Sequence, residues 1–140
     1  MQTSGIADGL IFAGAQAQGT RELQEDSYGH FEGECFIMAD GMGGQPHGEI
    51  ASSTALERAL FSYEILRKKH FYWRAKEHLV AQLFKNVSRG VFIKQKSYPD
   101  MGTTLVVSCF SSGWWWIGNV GDSRAYRLRD GQFEQITTDH

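Results

Sequence analysis

The chain has no run approaching the ~18 uninterrupted apolar residues that a membrane-crossing helix requires. No membrane span is expected. Signs of a secretory leader are lacking as well. The early apolar stretch Leu10-Ile11-Phe12-Ala13-Gly14-Ala15 is short, follows Asp8 and has no Lys or Arg before it. The cytoplasm is the expected location. Basic charge is scarce too: Lys and Arg total 14 against 16 Asp and Glu, for a formal net charge of −2 and a pI near 6.2. A nucleic-acid-binding domain normally carries clustered basic surface. Here only Arg67-Lys68-Lys69 forms a basic run, which reads as a solvated helix end, so no nucleic-acid partner is expected. Cysteine is rare. Cys35 and Cys109 each sit in an apolar, strand-like run, and buried free thiols in a reducing compartment explain them better than a disulfide. Their spacing fits no zinc-site pattern. Repeats, low-complexity segments and linkers are absent from the sequence.

What remains is the composition of one globular domain, or part of one: 140 residues, 41% hydrophobic and 21% charged. That length can bury a core without disulfide staples. Residues 10–18 read as a first strand, and 26–31 with 34–39 as a hairpin around Glu32-Gly33. The period then changes. Ile50, Ala51, Thr54, Ala55, Leu56 and Leu60 recur at helical spacing within 48–66, and Leu79, Val80, Leu83, Phe84, Val87 and Val91 do so within 73–96. Tyr98-Pro99-Asp100 stops the second helix. Strand patterns return at 103–110, 114–120, 124–129 and 133–137, with Asp130-Gly131 as a hairpin turn. Strands and helices in blocks, rather than alternating, indicate an α+β fold with helices packed on antiparallel sheet.

The densest chemical signal is Asp40-Gly41-Met42-Gly43-Gly44, which follows the apolar run Cys35-Phe36-Ile37-Met38-Ala39. A carboxylate is delivered at a strand end, into a turn whose glycines let backbone approach a ligand closely. Hard divalent cations take carboxylate and carbonyl oxygens, and Asp-Gly offers both. The same dipeptides are ordinary turn formers, so the motif alone leaves both readings open.

Three further segments bear on that choice. Glu25 and Asp26 stand at the mouth of the second strand, just downstream of Arg21. Neighbours in a strand face opposite ways, so one carboxylate can touch a metal while the other acts around it or through water. An exposed acidic turn is the alternative. Gly102-Thr103-Thr104 is explained by a turn and by β propensity. Gly121-Asp122-Ser123-Arg124 places another aspartate in a glycine turn. Taken together, carboxylates at 25, 26, 40 and 122 all lie at strand ends. An arginine fork beside clustered acids suits a phosphate held next to metals. Carboxylates without His or Cys partners favour Mg²⁺ or Mn²⁺ over zinc. Two such ions about 3.5–4 Å apart can activate water and stabilise both oxygens in a displacement at phosphorus. The expected chemistry is attack of metal-activated water on a phosphomonoester.

In order along the chain stand Arg21-x-x-Gln24-Glu25-Asp26, Asp40-Gly41-Met42-Gly43-Gly44, Gly48-Glu49-Ile50-Ala51-Ser52, Gly102-Thr103-Thr104 and Asn119-Val120-Gly121-Asp122-Ser123-Arg124-Ala125-Tyr126. This succession resembles the motifs of the metal-dependent type-2C serine/threonine protein phosphatases in their bacterial form. Ile136-Thr137-Thr138-Asp139-His140 resembles the segment that follows them. The resemblance implies a four-layer α-β-β-α sandwich with a binuclear Mn²⁺ or Mg²⁺ centre between two antiparallel sheets. It implies that Asp40 bridges two metals and that Gly41 lends its carbonyl. Glu25 and Asp26 would serve the same cluster directly or through water, Arg21 would hold the substrate phosphate, and Asp122 would serve a third, weaker metal site. Gln24 stands where the family usually has asparagine, and His47 resembles no family ligand and reads as a helix-start residue.

Domains of that family continue well beyond 140 residues and draw two further aspartate ligands from their C-terminal half. The chain is therefore expected to be the N-terminal portion of one catalytic domain, incomplete at its C-terminus and weakly active or inactive alone. The expected partners are a phosphorylated protein and a cognate serine/threonine kinase. The competing expectation is a non-catalytic, truncated pseudophosphatase that binds a partner or phosphoprotein. In Trp114-Trp115-Trp116, alternation puts the outer two rings on one face, with core packing as the default and a stacked interface as the alternative.

Overall fold

The computed structural model describes residues 2–7, 9–20, 22–43, 47–69, 75–111 and 113–140. Its elements in chain order are β1 (Gln2–Ala7), β2 (Leu10–Ala15), β3 (Asp26–Phe31), β4 (Cys35–Met42), α1 (His47–Leu66), α2 (Lys76–Gln95), β5 (Gly102–Thr103), β6 (Leu105–Ser111), β7 (Trp114–Val120), β8 (Tyr126–Arg129) and β9 (Gln132–Gln135). The fold is α+β, with every strand pairing antiparallel.

Alternation along β4 decides how the layers stack. Cys35, Ile37, Ala39 and Gly41 are buried, whereas Phe36, Met38, Asp40 and Met42 face the more open side. The sheet runs β3-β4-β6-β7, with β5 attached to β4. Its buried face meets both helices through Ile37, Ala39, Leu105 and Val107 from the sheet and Ala55, Ala59, Tyr63, Leu79 and Leu83 from the helices. Each fully buried leucine contributes about 1.5–3 kcal/mol through removal from water, so this face is the main source of stability. Gly90, which interrupts the apolar pattern of α2, lets the helices close: a Cβ there would lie 2.8 Å from Cγ of Arg58 on α1.

The open face is partly covered by the β1–β2 hairpin. The Phe12 ring meets His30 at 4.6 Å and Phe36 at 5.1 Å, and the Tyr28 hydroxyl donates to the Gly14 carbonyl at 3.3 Å. The β8–β9 hairpin forms a separate two-stranded sheet, in which Tyr126 stacks on Phe133. Arg124 and Ala125, just before β8, line a cavity of about 240 Å³ with Phe12, His30 and Phe36. The described residues thus supply a helix pair, a five-stranded sheet, the β1–β2 hairpin on its open face and a separate β8–β9 hairpin. A second helix pair is not among them.

Several expectations need adjustment. β1 was not anticipated, because Gln2-Thr3-Ser4-Gly5 carries no apolar alternation. The single strand expected over 103–110 is broken at Thr104, whose backbone amide bonds Asp40. The hairpin at Glu32-Gly33 is as expected, with φ values of 47° and 71°. The expected helix start near Trp73 lies outside the described residues. In the tryptophan run, Trp116 packs against the core, and Trp115 stacks on Phe110 while its Nε1 donates to the Ser108 hydroxyl at 2.6 Å. Trp114 is 69% exposed. No described helix is long and apolar enough to cross a membrane.

Candidate metal centre

The β3–β4 register sets Asp26 directly opposite Asp40. Directly opposed residues share a sheet face, with Cβ atoms about 4.5–5.5 Å apart, and like charges so placed repel. A cation between them removes that repulsion. Both side chains are on the open face, at the end of the sheet, and both residues are exposed. They border a cleft of about 230 Å³, which Gln16, Ser27 and Ser123 also line. The Gln16 amide donates to the Asp26 carbonyl at 2.6 Å.

Glu25 turns the other way, as strand alternation requires. Its carboxylate presses on Gly48 in the first turn of α1, so closely that a Cβ on Gly48 would collide with Oε1. An acidic group there meets the positive end of the helix dipole. The Glu25 carbonyl accepts the Gly41 amide at 3.0 Å. Gly41 is itself pressed against the Gly48 carbonyl, with no room for a Cβ. Gly41 and Gly48 therefore let the end of β4, the mouth of β3 and the start of α1 converge at one point. Nearby Ser27 and Ser52 hydroxyls bond each other at 3.0 Å, tying β3 to α1.

A second clamp holds Asp40 from the β6 side. Its amide donates to the Thr104 hydroxyl at 3.0 Å, and its carbonyl accepts from the Thr104 amide at 2.9 Å and the Thr103 hydroxyl at 3.1 Å. Thr104, only 2% exposed, also shares a 2.6 Å hydrogen bond with the Ser123 hydroxyl. Gly121 has φ +95°, and a Cβ on it would lie 2.7 Å from Cγ2 of Thr104. The turn that carries Asp122 is thereby seated on the residue that holds Asp40. Asp122 itself is exposed.

Just beyond, Arg124 grips Asp139 through Nε at 2.9 and 3.1 Å and Nη2 at 2.6 Å. Those bonds hold the Asp139 carboxyl below the usual carboxylate range and push the Arg124 guanidinium up.

Of the expected site residues, the structure brings Asp26 and Asp40 face to face, with Gly41 adjoining. It sets Glu25 behind them on the helix side and Asp122 one residue before Ser123, the partner of Thr104. Arg21 and Gly44 lie outside the described residues. Among those described, no group of three or more His, Cys, Asp or Glu side chains is arranged to hold a metal ion. His47 opens α1, as expected, and its ring lies 5.8 Å from that of Tyr98. Thr104 belongs to the Gly102-Thr103-Thr104 motif, but its hold on Asp40 is not visible in the sequence. Its side chain is a β-former, and only the ladder brings it to Asp40, 64 residues away.

Residues 13–140 match the family model described as Protein phosphatase 2C. The chain belongs to this family. A serine/threonine phosphatase, stp, of Listeria welshimeri is 33% identical over 136 residues, an alignment covering 86% of this chain and 50% of that protein. The phosphatase 2C fold also aligns with Stp1 from Staphylococcus aureus, a serine/threonine phosphatase, at a TM-score of 0.78 and 26% identity, covering 100% of this chain and 53% of that one. A further match is the catalytic domain of the serine/threonine protein phosphatase PstP in complex with two manganese ions, at a TM-score of 0.73 and 27% identity, covering 99% and 54%. The chain spans about half the length of these relatives.

Proposed function

We propose that the chain forms the N-terminal part of a Mn²⁺- or Mg²⁺-dependent protein phosphatase domain that hydrolyses phosphoserine and phosphothreonine. The observation that carries this is the opposed Asp26–Asp40 pair beside Gly41, within a chain of the phosphatase 2C family. An all-oxygen donor set with two carboxylates facing each other fits hard divalent cations. Asp40 and the Gly41 carbonyl would hold them directly. Asp26 would share them, Glu25 would act through water from behind, and Asp122 would serve a third ion. Arg21 would take the substrate phosphate. Two bound ions would supply a water acidic enough to attack phosphorus near neutral pH and charge to offset the departing oxygen. The chain's own task is to keep two carboxylates fixed on one face while the Thr104 and Gly41–Gly48 contacts forbid their drift. Such a phosphatase would work in the cytoplasm on phosphorylated proteins, opposite a serine/threonine kinase.

The test uses the full-length protein and a phosphothreonine peptide. Stripping with EDTA should lower turnover about 10²-fold or more, and Mn²⁺ should restore it. Turnover indifferent to EDTA would overturn the metal-dependent reading. Metal-independent peptide binding without turnover would favour a partner-binding module.

A further inference from the structure

Cys35 and Cys109 lie at the opposite end of β4 from Asp40 and take no part in the proposed chemistry. They are direct partners in the β4–β6 ladder, both at most 1% exposed, with sulfurs 3.5 Å apart. The Phe110 amide donates to the Glu34 carbonyl at 2.7 Å. That makes 34 and 110 a hydrogen-bonded rung. By the alternation of antiparallel ladders, 35 and 109 then form a non-hydrogen-bonded rung, the kind whose Cα atoms approach to about 4.5 Å. A disulfide accepts Cα separations of about 4.4–6.8 Å, so the backbone already stands within range. Only about 1.5 Å separates the sulfurs from the bonded distance of about 2.05 Å.

We propose that Cys35 and Cys109 are a redox-modification site, closing into a reversible cross-strand disulfide by exchange with a small-molecule disulfide. One cysteine, as thiolate, attacks a sulfur of the small disulfide, forming a mixed disulfide and releasing one small thiolate. The second cysteine, as thiolate, attacks the protein sulfur of that mixed disulfide and expels the other. Two cysteine protons end on two small thiols, two electrons reduce the small disulfide, and one S–S bond replaces another. The neighbouring Cys109 sulfur and burial hold the Cys35 thiol well above its ordinary pKa, so the closed fold resists exchange, while the charge of Lys76 acts in the opposite sense. Reaction proceeds by local opening of this sheet end, where β4 begins after the Glu32-Gly33 turn. The cross-link joins residues 74 apart, so it restricts the unfolded chain far more than it disturbs the native one.

The inference is independent of the phosphatase reading, and its test needs no turnover. The native full-length protein is incubated with oxidised glutathione, quenched in acid, alkylated and mapped by mass spectrometry. The expected product is the Cys35 peptide joined to the Cys109 peptide, with a melting temperature raised by about 8 °C and returned by dithiothreitol. Cys109→Ala should show neither the link nor the rise. Recovery of both cysteines as free thiols, a stable glutathione adduct on one of them, or a linked form melting no higher than the reduced protein would each overturn it.

Discussion

Asp40→Asn in the full-length protein is expected to lower kcat/KM toward a phosphothreonine peptide by about 10³-fold or more, with a melting temperature within about 2 °C of the parent. The two halves of this expectation come from different atoms of one residue. The fold uses the backbone of Asp40, whose amide and carbonyl are held by Thr103 and Thr104. Asparagine keeps those bonds. The chemistry uses the carboxylate, which is exposed on the open face opposite Asp26. Removing one of two facing negative charges also lowers their mutual repulsion. Steady-state kinetics with Mn²⁺, beside melting curves with and without EDTA, separate the two effects. A variant that keeps most of its activity, or loses it only by unfolding, contradicts this assignment.

Gly41→Ala is expected to cost about 3 kcal/mol or more and to abolish activity through loss of structure. The added methyl would meet the Gly48 carbonyl and, at 2.7 Å, the Glu25 carbonyl. Both are backbone atoms, so no side chain can rotate away. Relief requires β4, the mouth of β3 and the start of α1 to separate, breaking the Gly41–Glu25 hydrogen bond. Domains of this size are stable by about 5–15 kcal/mol, so the loss should appear plainly in urea or thermal unfolding. An unchanged midpoint would mean that the three segments do not converge as tightly as described.

Much of this site was legible in the sequence because glycine and aspartate mark it locally. Asp40-Gly41 after an apolar run signals a carboxylate at a strand end, and the β3–β4 hairpin follows from the Glu32-Gly33 turn. Helix α1 was readable from its apolar spacing almost to the residue. The part that could not be read is long-range. That Asp26 rather than Glu25 faces Asp40 depends on strand register, which the turn sets but which no single residue displays. The hold of Thr104 on Asp40 joins residues 64 apart. Its side chain looks like any strand former until the ladder is built. β1 escaped notice for a different reason: an edge strand of small and polar residues carries no hydrophobic period to detect. The adjacency of Cys35 and Cys109 is likewise a matter of register. Composition says only that each is buried.

The measurement that bears most directly on the central claim is the anomalous scattering of manganese in crystals of the full-length protein. Manganese is expected within about 2.5 Å of an Asp40 carboxylate oxygen and of the Gly41 carbonyl, on the open face of the sheet. Manganese bound elsewhere, with the Asp26–Asp40 cleft holding none at saturating concentration, would contradict it.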